Sequence, residues 1–135
     1  MRILAIDYGK VRVGLAVAHE KGGLPRPLQT LKLNTAFWNS LKRVVSEWEV
    51  SKVVVGLPIL IEGEEGPMAR EAKEFANRVG QETGLPVVLY DERFTTWEAK
   101  GVLRESGLSE RRQKGKRDGV AAALLLERYL ESEGA

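Results

Sequence analysis

Arg2-Ile3-Leu4-Ala5-Ile6-Asp7-Tyr8-Gly9-Lys10-Val11-Arg12-Val13-Gly14-Leu15-Ala16-Val17-Ala18 is the stretch on which the fold turns. Arg2 to Asp7 is a near-continuous apolar run, the pattern of a strand buried on both faces. Tyr8 to Val11 is a tight turn, with Gly9 permitting a close backbone approach. Arg12 to Ala18 then alternates Val13, Leu15 and Val17 with Arg12, Gly14 and Ala16, as a strand paired back on the first would. The reading is a hairpin whose first strand ends in a carboxylate. An acid in that position projects at the sheet edge where ligands gather. The same Asp7 also suits a plain Asx-turn.

Working outward, Lys21 to Pro25 is loop chemistry and Leu28 to Leu33 a third strand. Asn34 or Thr35 caps a helix from Ala36 to about Glu49. Lys52 to Gly56 is a short β-branched strand closed by Leu57-Pro58, and Ile59 to Gly66 is a loop. If this strand runs parallel to the first, Gly56 ends beside the same edge as a wall that lets a nucleic-acid backbone approach, or it belongs to a plain Gly-Pro turn. Pro67 to Thr83 reads as a helix, with Pro67 in its first turn and Gly84 as its stop. Met68, Ala72, Phe75, Ala76 and Val79 share one of its faces. Leu85 to Tyr90 is a further strand. Thr95 or Thr96 caps a helix to about Glu105, a basic loop follows, and Asp118 opens a last helix to about Glu131. The order β-β-β-α-β-α-β-α-α implies an α/β fold, a five-stranded mixed sheet with helices packed on it, in a single domain over residues 1–135.

Composition narrows the chemistry. The 135 residues contain no cysteine and one histidine, His19, so disulfides, thiolate sites and histidine-based zinc or iron sites are set aside. Any intrinsic metal would take oxygen ligands. No apolar stretch approaches the roughly 18–20 residues of a membrane span, and the strand pattern begins at once, so no membrane or signal segment is expected and a cytoplasmic home fits. The net charge of +2 is modest, but Arg111, Arg112, Lys114, Lys116 and Arg117 crowd together as a candidate phosphate-binding patch or a solvated loop.

Acids stand at three element ends. Asp7 closes the first strand. Asp91 and Glu92 close the strand after Val87, and alternation sends one of them to each face. Asp118 precedes Gly119-Val-Ala-Ala-Ala123, where small residues let a helix lie close to a sheet; it also suits an ordinary N-cap. If Asp7, Glu92 and Asp118 converge, they form a hard, oxygen-rich cage for Mg²⁺ whose shell substrate phosphates complete. Lys10, Arg12 and Arg93 lie beside these acids in sequence and would place a phosphate backbone without reading its sequence. Trp38, Trp48 and Trp97 fall on expected helices, where core packing is the default and base stacking the alternative.

Taken in order, Asp7-Tyr-Gly-Lys-Val-Arg-Val-Gly14, Val54-Val-Gly-Leu-Pro58, Glu64-Glu-Gly-Pro67, Asp91-Glu-Arg-Phe-Thr-Thr96 and Asp118-Gly-Val-Ala-Ala122 resemble the motifs of the YqgF (RuvX) nuclease family over nearly the whole chain. That resemblance implies an RNase H-like fold related to RuvC resolvases. It implies a nuclease maturing the 5′ end of pre-16S rRNA in ribosome biogenesis, or a Holliday junction resolvase acting on branched DNA. Asp7, Glu92 and Asp118 would be the catalytic and metal-holding acids, with two Mg²⁺ or Mn²⁺ ions gathered together with substrate. The partner would be structured RNA or branched DNA, met by a monomer or a homodimer. Where the family often carries Asn-Met-Asp-Gly after Gly-Leu-Pro, this chain has Ile59-Leu-Ile-Glu62-Gly-Glu64, leaving Glu62 or Glu64 as the acids there. Two alternatives remain: a non-catalytic nucleic-acid-binding module of the same fold, and an ATP-dependent phosphotransferase, whose Asp-x-Gly hairpin is similar but whose two lobes exceed the length of this chain.

Overall fold

β1 (Arg2–Asp7) lies at the centre of the sheet, and its Ile3, Leu4, Ala5 and Ile6 are all buried. An unbroken apolar run requires such double cover. β2 (Arg12–His19) returns antiparallel, pairing Ile6 with Leu15 and Asp7 with Gly14. On the other side of β1, β5 (Val50–Leu57) runs parallel, and β6 (Val87–Asp91) runs parallel to β5. The short β3 (Arg26–Pro27) and β4 (Leu31–Lys32) both pair with β2, so the path is β3-β2-β1-β5-β6 with β4 beside it. The computed structural model describes residues 1–57, 67–91 and 110–134, with side chains over 1–56, 70–90 and 119–132.

The mixed sheet agrees with expectation, while the third strand does not. In place of one strand over 28–33, pairing starts at Arg26, stops after Pro27 and resumes at Leu31. Proline has no N–H for the ladder, which confines it to edges and interruptions. The Leu28 N–H still reaches the Leu15 carbonyl at 2.8 Å, so the segment follows β2 without a continuous ladder.

α1 (Phe37–Glu47) buries Phe37, Leu41 and Val44. The Asn34 side chain accepts from the Ala36 N–H at 3.0 Å, one turn ahead of the helix, and Ala36 at the N-cap makes no side-chain bond. The helix thus begins one residue later than Ala36. It stops where Glu49 takes a left-handed φ of 51°. α2 (Pro67–Thr83) has the expected bounds. Gly84 at φ 70° ends it, and its N–H bonds the Gly80 carbonyl at 2.9 Å.

α3 (Glu110–Gly134) is the main correction. The stretch Arg111, Arg112, Lys114, Lys116, Arg117 is helix rather than loop, and Asp118 lies inside the helix rather than at its cap. Arginine, lysine and glutamine are good helix formers, and one glycine, Gly115, costs only about 1 kcal/mol. Charge marked this stretch as exposed, but it carried no signal against helix. The expected loop over 59–66 and the expected helix from Thr95 or Thr96 lie outside the described residues.

The helices divide between two faces. α1 and α2 cover the face carrying Leu4, Ile6, Val13, Leu15, Val53 and Val55. α3 covers the face carrying Ile3, Ala5, Ala16, Ala18 and Val54, with Ala122, Leu125, Leu126 and Tyr129 against them. No helix of the described residues is long and apolar enough to cross a membrane.

Candidate active site

β1, β5 and β6 are parallel, so their C-terminal ends share one edge of the sheet. Asp7 ends β1 there, half-buried and opposite Gly14 of β2. Side chains alternate along a strand. Ile3 and Ala5 pack toward α3, which assigns Asp7 to that face as well. Tyr8 goes the other way, its ring 4.8 Å from Phe75 of α2.

The neighbouring positions leave space beside Asp7. Ile6 pairs with Val55, so Gly56 is the next level of β5, level with Tyr90 of β6. Val54 packs toward α3, so alternation puts the missing side chain of Gly56 on that same face. Glycine at this level therefore clears the ground between the end of β1 and the end of β6, two strand spacings or about 10 Å apart. In the turn after Asp7, Gly9 is required: a Cβ there would overlap the Arg12 carbonyl oxygen. Lys10 is exposed and Arg12 half-buried on this edge, both near Asp7.

α3 approaches from above. Its Ala122 and Leu125 are fully buried against the sheet, and Gly119 lies beside the Leu28 carbonyl and Pro27. Asp118 precedes Ala122 by one turn and Leu125 by two, which puts its backbone position on the sheet-facing stripe of the helix. Its side chain, and those of Arg111, Arg112, Lys114, Lys116 and Arg117, lie outside the described residues. So do Glu92, Arg93, Glu62, Glu64 and Trp97. Glu92 follows directly on Asp91, the last residue of β6. Among the described residues no group of three acids or histidines forms a metal cluster. His19 pairs with Arg2 at the opposite edge, away from Asp7. Trp48 is also at that far edge, with the Arg2 and Arg26 guanidinium groups 5.7 and 5.4 Å from its ring centroid.

Among the cavities lined by described residues, two lie on opposite sides of the sheet. The larger, about 610 Å³, opens at the far edge among Ile3, Glu20, Lys52 and Tyr129 and includes none of the expected site residues. The smaller, about 330 Å³, adjoins the Asp7 edge and is lined by Tyr8, Trp38, Glu71, Glu74, Phe75 and Arg78. Burial first, then the charge of Glu71 and hydrogen bonding toward it, then the charge of Glu74, push the pKa of the Tyr8 hydroxyl above the ordinary tyrosine value. Sequence reading does not single out Tyr8, Glu71 or Glu74. The available signal is that Glu71, Glu74, Phe75 and Arg78 share one helical stripe at spacings of three and four.

Comparison with known proteins gives a consistent result. The RuvX family profile, described as a Holliday junction resolvase, matches residues 1–132. A curated relative from Anaeromyxobacter sp. (strain Fw109-5), named "Putative pre-16S rRNA nuclease", is 42% identical over the full length of both chains. One of the same name from Escherichia coli O7:K1 is 39% identical, covering 96% of this chain and 95% of its own. Among solved structures, Thermus thermophilus RuvC in complex with a Holliday junction substrate superposes with a TM-score of 0.60 at 19% identity, over 100% of this chain and 98% of that one. The fowlpox virus Holliday junction resolvase gives 0.61 at 13% identity, over 98% and 99%. The last two likenesses establish the RNase H-like fold that the sequence led us to expect.

Proposed function

The chain belongs to the RuvX family of nucleases, and from that premise we propose that it is a divalent-metal-dependent endonuclease maturing the 5′ end of pre-16S rRNA. The observation that carries the reading is Asp7 at the end of β1, on the face α3 covers, with Gly56 leaving the adjacent position empty. The names of relatives about 40% identical over their whole length support the choice of RNA. Residues 1–135 would act as one nuclease domain in the cytoplasm.

Asp7, Glu92 and Asp118 would hold Mg²⁺ or Mn²⁺. The donor chemistry fits: carboxylates suit hard cations, the chain has no cysteine, and its one histidine is at the far edge. A divalent ion there supplies a more acidic water and offsets phosphate charge. Val88 and Tyr90 pack on the α3 face, and were the period of two to continue past β6 it would send Glu92 rather than Asp91 to that face. In the reaction a water oxygen bonds to phosphorus and the bond to the 3′ oxygen breaks, leaving a 5′-phosphate and a 3′-hydroxyl. Lys10, Arg12, Arg93 and the basic first turns of α3 would position the strand through its phosphates.

Asp7→Asn is the test. The variant should keep its fold and its affinity for substrate while losing more than the roughly 10–100-fold that disturbing an outer metal partner costs. Cleavage of a pre-16S 5′ precursor with Mn²⁺ measures it, and undiminished turnover would overturn the mechanism. The family description favours one second reading, cleavage of branched DNA, so a four-way junction belongs in the same assay. Concerted cutting of that junction in preference to RNA would select it, and would call for a symmetric dimer.

A further inference from the structure

The groove between α1 and α2 is not accounted for by phosphodiester hydrolysis. It lies on the face opposite Asp7, yet it begins at the very next residue, Tyr8. Aromatic rings build it: Phe75 is 4.8 Å from Tyr8 and 5.5 Å from Trp38, centroid to centroid. The Arg78 guanidinium sits 4.6 Å from the Trp38 ring centroid. Tyr8 and Trp38 are only partly buried, so both rings meet the opening. Its volume of about 330 Å³ falls at the small end of small-molecule sites, which run from roughly 300 to 1,000 Å³.

The charge at its rim decides what can enter. Glu71 and Glu74 line the opening with Arg78, whose guanidinium lies over the Trp38 ring, so two carboxylates against one cation leave the rim net negative and disfavour a phosphate. Rings that stack and carboxylates that only accept hydrogen bonds suit a flat, neutral group with N–H donors on its edge. An unpaired nucleobase has that form. We propose that this groove holds one unpaired base of the substrate strand beside the phosphodiester at Asp7, and that it favours guanine. Guanine offers two adjacent donors, N1–H and the N2 amine, to a carboxylate. Adenine and cytosine each offer one amine, and uracil offers a single N3–H flanked by two carbonyl oxygens that the acids would repel. The proposal rests on the nuclease reading, and it adds a base preference that phosphate contacts alone do not supply.

The experiment is a binding assay with the full chain, using short single-stranded RNA and DNA carrying 2-aminopurine at successive positions. Stacking in the groove should quench the fluorophore at one position and leave the others bright. Trp38→Leu should remove that quenching. Glu74→Gln alters an exposed helix position and should fold normally. It should keep the quenching but lower the preference for a guanine over a uracil strand by about tenfold, the factor one good base-edge contact supports. RNA and DNA should behave alike, since the base is the shared ligand. A strand that binds with no quenched position, or a guanine preference untouched by Glu74→Gln, would overturn the base site and leave the nuclease reading standing. Trp38→Leu converting a dimer to a monomer would overturn it too, by giving the groove to a second copy. Absence of strand binding in any form would remove both.

Discussion

On one face of the sheet, Phe37, Leu41, Phe75 and Val79 come down from α1 and α2 onto Leu4, Ile6, Val53 and Val55. On the other, Ala122, Leu125 and Leu126 of α3 meet Ala5, Ala16 and Ala18. The same strands serve both faces, so the difference lies in side-chain volume. Large interlocking side chains maximise buried apolar area and dispersion contact, and so supply folding free energy. Alanine against alanine buries less but lets a helix backbone lie near the strands. The first face is built to hold, and the second to place α3 over the edge where Asp7 stands. Stability and site geometry should therefore fail separately when each face is disturbed.

Phe75→Ala should produce the largest loss of stability. Phe75 touches Tyr8, Phe37 and Trp38, and removing a buried ring leaves a cavity as well as lost burial. The expected cost is about 3–5 kcal/mol, a large part of the roughly 5–15 kcal/mol of a whole domain. A urea midpoint falls accordingly, with the slope unchanged. A loss below about 1 kcal/mol would show that this face is not the anchor.

A matched pair sharpens the contrast. Ala122 and Ala76 are both buried, one on α3 and one on α2. Replacing either by leucine overpacks its site and should cost about 1–3 kcal/mol. Ala122→Leu should also lift α3 from the sheet, and a displacement near 1 Å can cost on the order of a hundredfold in rate. Ala76→Leu should leave cleavage within a few-fold. Equal losses of cleavage in the two variants would erase the distinction between the faces.

How much of this was legible in sequence depends on how local the signal was. The bounds of α2 were readable because Pro67 and Gly84 act through backbone dihedrals that neighbours cannot alter. β1 was readable because a run buried on both sides contains its own evidence. The start of α3 was not, since the charge of Arg111 to Arg117 reports exposure and leaves conformation open. At the site, Asp7 could be picked out as a strand-end acid. Gly56 could be picked out as a strand-end glycine that lets a backbone approach, but the face on which it opens space could not, because that follows from the packing of Val54 on α3, across the fold. The aromatic groove was hidden for the same reason. Tyr8, Trp38 and Phe75 are far apart in the chain and meet only because α1 and α2 share a face.

The smallest predicted effect falls where the two faces touch. Asp7 and Tyr8 are consecutive and diverge to opposite sides of the sheet, so a change at Tyr8 probes whether the aromatic face steadies the acid. The Tyr8 hydroxyl is held neutral, first by burial and then by Glu71 and Glu74, and its folded pKa lies above the unfolded value near 10. Its contribution to folding is then complete below about pH 10 and is lost as pH rises through the folded pKa. Tyr8→Phe should cost about 0.5–1.5 kcal/mol at neutral pH, the worth of one hydrogen bond. It should also flatten the fall in urea midpoint between about pH 9 and 11. If the variant declines as steeply as the wild type, Tyr8 carries none of the alkaline sensitivity. If cleavage at neutral pH drops further than the stability change accounts for, the aromatic face helps to set the position of Asp7 as well as the strength of the fold.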